Sequence, residues 1–204
     1  RTATNQKIGD FYASCMDEPA VNRKGHTPLK PELGRIAAVT GKTQLMEEAA
    51  RLSLLGVNAV FNFSAGPDLH NSRMNIAAID QGGLSLPDRD YYLKDDADMQ
   101  TIRGAFVEHV KKMFALTGQT AEQAAHSAAE VLKIETGLAR AAMDRTLRRD
   151  PRNLDHKMTV DEIRKLAPGF HLERYFAGIG APAFRELNVA NPDFFRSVSA
   201  FIES

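Results

Sequence analysis

The least generic stretch of the sequence is Gln81-Gly-Gly-Leu-Ser-Leu-Pro-Asp-Arg-Asp-Tyr-Tyr-Leu93, and most of the chain before and after it has a helical pattern. Two glycines open it, a proline lies in its middle, and three charged residues precede a pair of tyrosines. Leu86-Pro87 favours extended or turn backbone, because proline disfavours the helical conformation of the residue before it. The stretch therefore predicts extended or turn geometry before Asp88, and it forms a junction between a strand-like segment and a helical one.

The segment before the junction has the pattern of a small β-ribbon. Residues 58–64 and 74–80 are rich in β-forming side chains, and Gly66-Pro67-Asp68 between them is a turn signal. We predict two strands with a long polar connection. Because an isolated ribbon is marginally stable in water, it should pack against helices or another strand.

Apolar residues at helical spacing predict helices over most of the remaining chain. Thr120 with Gln123, and Thr159 with Glu162, have the spacing of capping boxes that begin helices. Residues 17–30 are predicted as a loop because Pro19, Gly25 and Pro28 interrupt them, and 187–189 as a short extended piece. Asn191 is predicted to cap a last helix that has Pro192 in its first turn and Phe195, Val198 and Ile202 facing inward. The other predicted helices cover residues 3–16, 31–40, 43–55, 95–117, 120–143, 159–167 and 170–176. We predict a mainly α fold class: one multi-helix segment, residues 1–204, with a small two-stranded β-ribbon around residues 58–80.

The composition excludes several classes of protein. Hydrophobic residues make up 43% of the 204 residues, and 26 basic residues balance 26 acidic ones. A zero net charge argues against a nucleic-acid partner, which usually selects a basic surface. No apolar run reaches the roughly 20 residues that span a bilayer. No signal peptide is visible, and because the sequence begins with arginine we expect a piece of a longer protein.

The one cysteine of the chain, Cys15, excludes an internal disulfide and a cysteine-rich zinc site. It lies on the apolar side of the first predicted helix, and no histidine is close to it in sequence to activate it as a nucleophile. We predict that Cys15 is a buried, small hydrophobic residue.

Glu135 interrupts the apolar face of the predicted helix 120–143. A carboxylate buried without a partner would cost several kcal/mol, so we predict an ion pair with an arginine. A basic cluster follows this helix. We expect some of its arginines to pair with acids such as Glu135 and the others to be solvated. The cluster consists of Arg145, Arg148, Arg149 and Arg152.

No complete catalytic or metal motif is present in the sequence. No two of the six histidines are four residues apart, so the helical zinc motif is missing, and His126 with Glu130 offers only two ligands. Thr40-Gly-Lys-Thr43 resembles the end of a phosphate-binding loop, but Ile36 stands where that motif needs glycine. Gly83-Leu-Ser85 lacks the second glycine of a serine-nucleophile elbow. We therefore predict no catalytic and no metal-binding residue, and the substrate-binding residues stay unknown.

The junction strongly resembles a signature of the neprilysin-like zinc metallopeptidases, the group that includes endothelin-converting enzyme. Further segments resemble this family in the same order along nearly the whole chain. They are Lys7-Ile-Gly-Asp-Phe-Tyr-Ala-Ser-Cys-Met-Asp17, Phe61-Asn-Phe63 with Asp68, Asp80 before the junction, Ile134-Glu-Thr-Gly-Leu-Ala139, Arg149-Asp-Pro151, His156-Lys-Met-Thr-Val-Asp-Glu162, Leu166-Ala-Pro168 and Asn188-Val-Ala-Asn-Pro192.

The resemblance implies that this chain is part of the amino-terminal helical domain of a peptidase that cleaves peptides. In that family the zinc ligands and transition-state residues lie in the carboxyl-terminal half, so the segment alone should be inactive and bind no zinc. The segment would restrict the substrate chamber, and its partners would be the catalytic half and peptide substrates. The resemblance also implies an extracytoplasmic location, periplasmic or secreted.

One further consequence and two alternatives follow. We expect exposed apolar surface, covered by the catalytic half or by self-association. One alternative is a stand-alone helical interaction module without enzymatic activity, which a stop codon after Ser204 would favour. The other alternative is a nucleotide binder through residues 40–43.

Overall fold

The computed structural model describes residues 2–203 and divides the chain into two compact units, one ending at Ala38 and one beginning at Val39. Within the described residues there are ten α-helices and one four-stranded sheet. The predicted fold class, mainly α with a small β-ribbon, is confirmed.

The first unit contains three helices: α1 (Ala3–Met16), α2 (Glu18–Lys24) and α3 (Lys30–Ala37). The prediction of a loop over residues 17–30 is wrong, because α2 occupies much of it. The Asp17 carboxylate accepts a hydrogen bond from the Ala20 N–H at 3.1 Å and caps this helix. Pro19 then falls in the first turn, where a missing N–H costs nothing.

Within the first unit, the apolar face of α1 is not packed into a core. None of its residues is buried, and the Phe11 side chain is 74% exposed. Cys15 is exposed, so its predicted burial is wrong. Helical spacing identifies an apolar face, but it carries no information on whether another element covers that face.

The second unit contains seven helices, and side-chain caps or glycines are present at several of their ends. Both predicted capping boxes are present, at Thr120 and at Thr159. Gly56 and Gly118, just beyond the helices that end at Leu54 and Leu116, have φ values of 84° and 101°, which glycine adopts readily. The helices are α4 (Lys42–Leu54), α5 (Asp90–Leu93), α6 (Ala97–Leu116), α7 (Ala121–Ala141), α8 (Val160–Leu166), α9 (Leu172–Gly178) and α10 (Pro192–Glu203).

The predicted ribbon forms half of a mixed sheet with the strand order β1-β2-β4-β3. The long strands β1 (Phe61–Asp68) and β2 (Asn71–Gln81) pair antiparallel. β4 (Glu186–Val189) runs parallel to β2 and antiparallel to β3 (Lys157–Thr159). β3 was not predicted, because three residues are too few to show a period.

The chain reversal of the ribbon lies later than predicted. Gly66 and Pro67 belong to β1, and the turn falls on Leu69-His70, so the expected long connection is two residues. The Asp68 carboxylate accepts a hydrogen bond from the His70 N–H at 2.9 Å. This bond and an irregular register between Pro67 and Asp68 place the turn there.

One face of the sheet packs on the hydrophobic core. Phe61 of β1 lies 4.6 Å from Tyr175 and 5.7 Å from Phe195, measured between ring centroids. Phe195 and Val198 of α10 are buried, as predicted. Asn191 caps α10 by accepting a hydrogen bond from the Phe194 N–H at 3.1 Å, which confirms its predicted role.

Candidate functional site

The junction, residues 81–93, runs from the end of β2 into α5 and is held by polar contacts. Gly82 and Gly83 let it turn tightly across β1. A Cβ on Gly82 would lie 3.0 Å from the Cα of Phe61. Gly83 has φ +77°, and its Cβ would lie 2.8 Å from the Ala59 carbonyl oxygen. Only glycine therefore fits this close approach of two backbone segments.

The carboxylate of Glu135 holds the junction from α7. It accepts hydrogen bonds from the Ser85 N–H at 3.2 Å, the Ser85 hydroxyl at 2.7 Å and the Tyr92 hydroxyl at 2.5 Å. The Tyr92 hydroxyl oxygen in turn accepts a hydrogen bond from the Leu86 N–H at 2.8 Å. Burial, together with the hydrogen bond to Glu135, raises the pKa of Tyr92, which therefore stays a neutral donor.

The predicted arginine partner of Glu135 is wrong, although its predicted burial is right, since only 8% of the residue is exposed. Within the described chain its hydrogen-bond partners are two hydroxyls and one backbone N–H. Hydrogen bonding from neutral groups stabilises a buried carboxylate as an ion pair would, without burying a second charge. We refer to Glu135, Ser85, Tyr92 and Leu86 as the Glu135 cluster.

Arg148 from the basic cluster pairs with Asp80 at the end of β2. Its two terminal nitrogens donate to the two carboxylate oxygens at 2.8 and 2.6 Å, a bidentate geometry that raises the pKa of Arg148. Arg145 lies 3.5 Å from Asp88, with 69% of its side chain exposed, and Arg149 is exposed. The expectation that some arginines pair with acids while others are solvated is confirmed, with Asp80 as partner in place of Glu135.

Gln81 ties three elements together beside this ion pair. Its side-chain oxygen accepts hydrogen bonds from the Met143 N–H at 2.7 Å and the Asn191 amide at 2.9 Å. Its side-chain nitrogen donates to the Met143 carbonyl at 3.2 Å. One side chain therefore connects β2 to the segment after α7 and to the start of α10.

A polar cavity of about 380 Å³ lies between the junction and the segment after α7. Arginine, asparagine, aspartate and backbone groups can bind a polar ligand there, but the lining carries no hydroxyl, thiol or imidazole to act as a nucleophile. The lining residues are Asn58, Asn62, Asp80, Gln81, Gly82, Gly83, Leu84, Leu86, Pro87, Asp88, Arg89, Ala142, Met143, Arg145 and Arg148.

The described residues do not fit a zinc ion. From residue 2 to residue 203, no three histidine, cysteine or carboxylate side chains come together as a metal site would require. His126 and Glu130 share a helix face, but the Glu130 carboxylate binds Lys133 at 3.1 Å. The His70 Nε2 lies 2.8 Å from the Asp155 carboxylate at the surface. We therefore assign no step of chemistry in this chain to a metal.

Residues 40–43 do not form a phosphate-binding loop. Thr40 and Gly41 follow α3, and Lys42 and Thr43 begin α4, whereas a phosphate-binding loop follows a buried strand. The Thr40 N–H and hydroxyl both donate to the side-chain oxygen of Gln44, at 2.8 and 2.9 Å. The loop thus uses its polar groups to fix the start of α4.

The expected exposed apolar surface is present in the second unit as a cleft of about 430 Å³. Ile134 of α7 and Phe201 of α10, both in its lining, are 46% and 42% exposed. Leu45 of α4 lines the same cleft. The cleft is lined by Val39, Gly41, Lys42, Leu45, Ala59, Val60, Ile134, Leu138, Val198, Phe201 and Ile202. Such a surface is characteristic of a region that another protein segment covers.

Lys157 links β3 to the tip of the ribbon through a hydrogen-bonded ion pair with Asp68. Their side chains are 2.7 Å apart, and this bond, with the His70 N–H, holds the pKa of Asp68 below its usual 3.8. A carboxylate with a depressed folded-state pKa stabilises the fold above its unfolded pKa. That stability is lost as the pH falls through the folded-state pKa.

Replacing Asp68 with asparagine should therefore flatten the acid side of the stability profile. The wild-type chain should lose more stability than D68N between about pH 5 and about pH 2, measured by urea unfolding at each pH. K157M should flatten the profile in the same direction. Parallel curves for wild type and both variants would contradict this assignment.

The described chain is mainly helical and has one small mixed sheet. Polar contacts to Glu135 hold its glycine-rich junction in place. The family model described as peptidase family M13 matches residues 1–204. The chain belongs to this family. The resemblance to neprilysin-like zinc metallopeptidases, predicted from the junction and the ordered segments around it, is confirmed.

Similar proteins agree with this assignment. Human endothelin-converting enzyme-like 1 is 26% identical over 99% of this chain, and human endothelin-converting enzyme 1 is 27% identical over 92%. The chain spans only 28% and 25% of these relatives. The crystal structure of the zinc metalloprotease Zmp1 of Mycobacterium tuberculosis in complex with an inhibitor matches with a TM-score of 0.90. Its identity to this chain is 30%, and the match covers 96% of this chain and 30% of that one.

None of the helices between residues 2 and 203 combines the length and apolar character needed to cross a membrane.

Proposed function

We propose that this chain is part of the amino-terminal, non-catalytic domain of a zinc-dependent metalloendopeptidase that cleaves peptides. The observation that carries the proposal is the family match over residues 1–204. The described residues bring no metal-ligand set together, so zinc binding and bond cleavage would belong to the carboxyl-terminal half. This segment would shape and restrict the chamber that admits substrate.

The carboxyl-terminal half of the parent would be the main partner of this chain. The apolar cleft between α4, α7 and α10 supports this part of the proposal, because its exposed Ile134 and Phe201 would gain from burial against a second protein surface. Self-association through the same cleft is the competing outcome if the chain occurs alone, and a stand-alone interaction module would use it in this way.

The parent would work outside the cytoplasm, in the periplasm or as a secreted protein. This location rests on the family resemblance alone.

The test compares the product of the complete gene with the chain of residues 1–204. We expect the complete protein to hydrolyse short peptides, to lose this activity with a zinc chelator, and to reject folded proteins. The shorter chain should bind no zinc and hydrolyse no peptide. Zinc-dependent hydrolysis by residues 1–204 alone, or a complete protein without peptidase activity, would overturn the proposal.

A further inference from the structure

β1 forms a free edge of the sheet. In the strand order β1-β2-β4-β3 it has β2 on one side only. Among residues 2–203, no backbone hydrogen bond joins β1 to any segment other than β2. The outer row of N–H and C=O groups of this strand therefore lacks backbone partners in the described structure.

The pairing of the inner strands shows which residues of β1 point outward. The Ile79 carbonyl accepts a hydrogen bond from the Ala190 N–H at 2.9 Å, so the backbone groups of Ile79 point away from β1. Ile79 is paired with Phe63 across the antiparallel ladder. Because hydrogen-bonded and non-hydrogen-bonded pairs alternate, the N–H and C=O of Phe63 and of Ala65 point outward. Pro67 has the same parity, so its missing N–H costs the ladder nothing.

Over residues 61–66 the edge lacks the charged and proline residues that usually protect against an added strand. Natural edge strands are commonly guarded by charged side chains, but residues 61–67 include none. Ser64 and Ala65 are exposed and small, so a second strand could approach. Only Pro67, near one end, limits how far pairing can extend.

A cavity on the open face of the sheet lies beside this edge. Phe61 and Phe63 face the core, so the alternating residues Ser64 and Gly66 face the other way. These two residues, with Ile76 and Ala78 of β2, line a cavity of about 350 Å³ on that face. The ion pairs Asp68–Lys157 and Asp80–Arg148 also contribute to its lining.

We propose that the outer edge of β1 binds an extended peptide as a fifth strand of the sheet. The N–H and C=O groups of Phe63 and Ala65 would hold its backbone. Every second side chain of the peptide would lie over the open face, next to the cavity lined by Ser64 and Gly66. Backbone pairing supplies affinity independent of sequence, and the cavity would favour particular side chains at alternate positions.

The identity of the occupant rests on the proposed function, since a peptidase domain encounters extended peptides. The lack of charge along residues 61–67 suits an uncharged peptide segment, and the hydrogen-bonding groups of an edge match any extended backbone. The addition of a fifth strand does not depend on the proposed function, because it follows from the geometry of β1 alone.

The test uses the complete protein with a chelator present, so that the probe is not hydrolysed. The probe is a blocked nonapeptide of alternating threonine and valine, compared with the same peptide carrying N-methyl groups on alternate backbone nitrogens. We expect the unmodified probe to slow hydrogen exchange of the Phe63 and Ala65 amides, and the N-methylated probe to bind at least tenfold more weakly. Equal binding of the two probes, or no protection of these amides, would overturn the fifth strand.

A pair of proline variants tests the edge from the protein side. A65P should keep the melting temperature of the wild type and weaken probe binding at least tenfold, because it removes only an outward donor. S64P should lower the melting temperature, because it removes a donor to β2. If A65P binds the probe like the wild type, the edge is not the site. Peptide hydrolysis by the complete protein without chelator reports separately on the proposed function.

Discussion

Replacing Glu135 with alanine should lower the free energy of unfolding by about 3–5 kcal/mol. The variant leaves the Tyr92 hydroxyl without its acceptor at a buried site, and it leaves the Ser85 N–H and hydroxyl without theirs at a partly buried one. Each unsatisfied buried donor costs about 1–3 kcal/mol, and a cavity is added where the side chain was. Urea unfolding followed by circular dichroism measures the loss.

The matched control is E130A on the same helix. The Glu130 carboxylate is part of an exposed pair with Lys133, so this variant should change stability by less than about 0.5 kcal/mol. Y92F removes one of the three donors and should cost about 1–2 kcal/mol. If E135A and E130A unfold at the same urea concentration, the Glu135 cluster does not anchor the junction.

Replacing Gly83 with alanine should destabilise the chain by about 2–4 kcal/mol. Its φ of +77° strains any residue with a Cβ, and that Cβ would lie 2.8 Å from both the Ala59 carbonyl oxygen and the Leu138 side chain. The carbonyl belongs to the backbone beside β1, so it cannot move without disturbing the strand. Thermal and urea unfolding of the variant measure the combined effect.

G180A separates strain from steric overlap. Gly180 also has a positive φ, +67°, but no heavy atom lies within 4 Å of the position its Cβ would take. This variant should therefore cost only about 1 kcal/mol, the price of the backbone conformation. Equal losses for G83A and G180A would show that the close approach at the junction contributes nothing.

The sequence predicted the local features of this chain well. The capping boxes at Thr120 and Thr159 and the cap at Asn191 depend on side chains within three residues of each other, so their spacing alone determines them. α2 was missed because Pro19 was interpreted as a loop signal, although proline in the first turn of a helix is favourable.

The polar contacts of the site could be predicted only in part. Burial of Glu135 followed from its place on an apolar helix face, but its partners Ser85 and Tyr92 are 50 and 43 residues away. One signal existed: the junction and the segment 134–139 both resemble the same family. Two such motifs are candidates for mutual contact, whereas the choice of an arginine rested on charge alone.

The sequence by itself determined the mainly helical fold, the caps at Thr120, Thr159 and Asn191 and the family, because these depend on composition, short-range spacing and ordered motifs. The tertiary structure decided which residues contact each other: hydroxyls surround Glu135, Arg148 binds Asp80, and β4 joins the ribbon while the outer side of β1 has no backbone partner among residues 2–203. The physical reason is range. A helix and its cap form within a few residues, whereas burial, long-range pairing and a free edge exist only after distant segments have packed together.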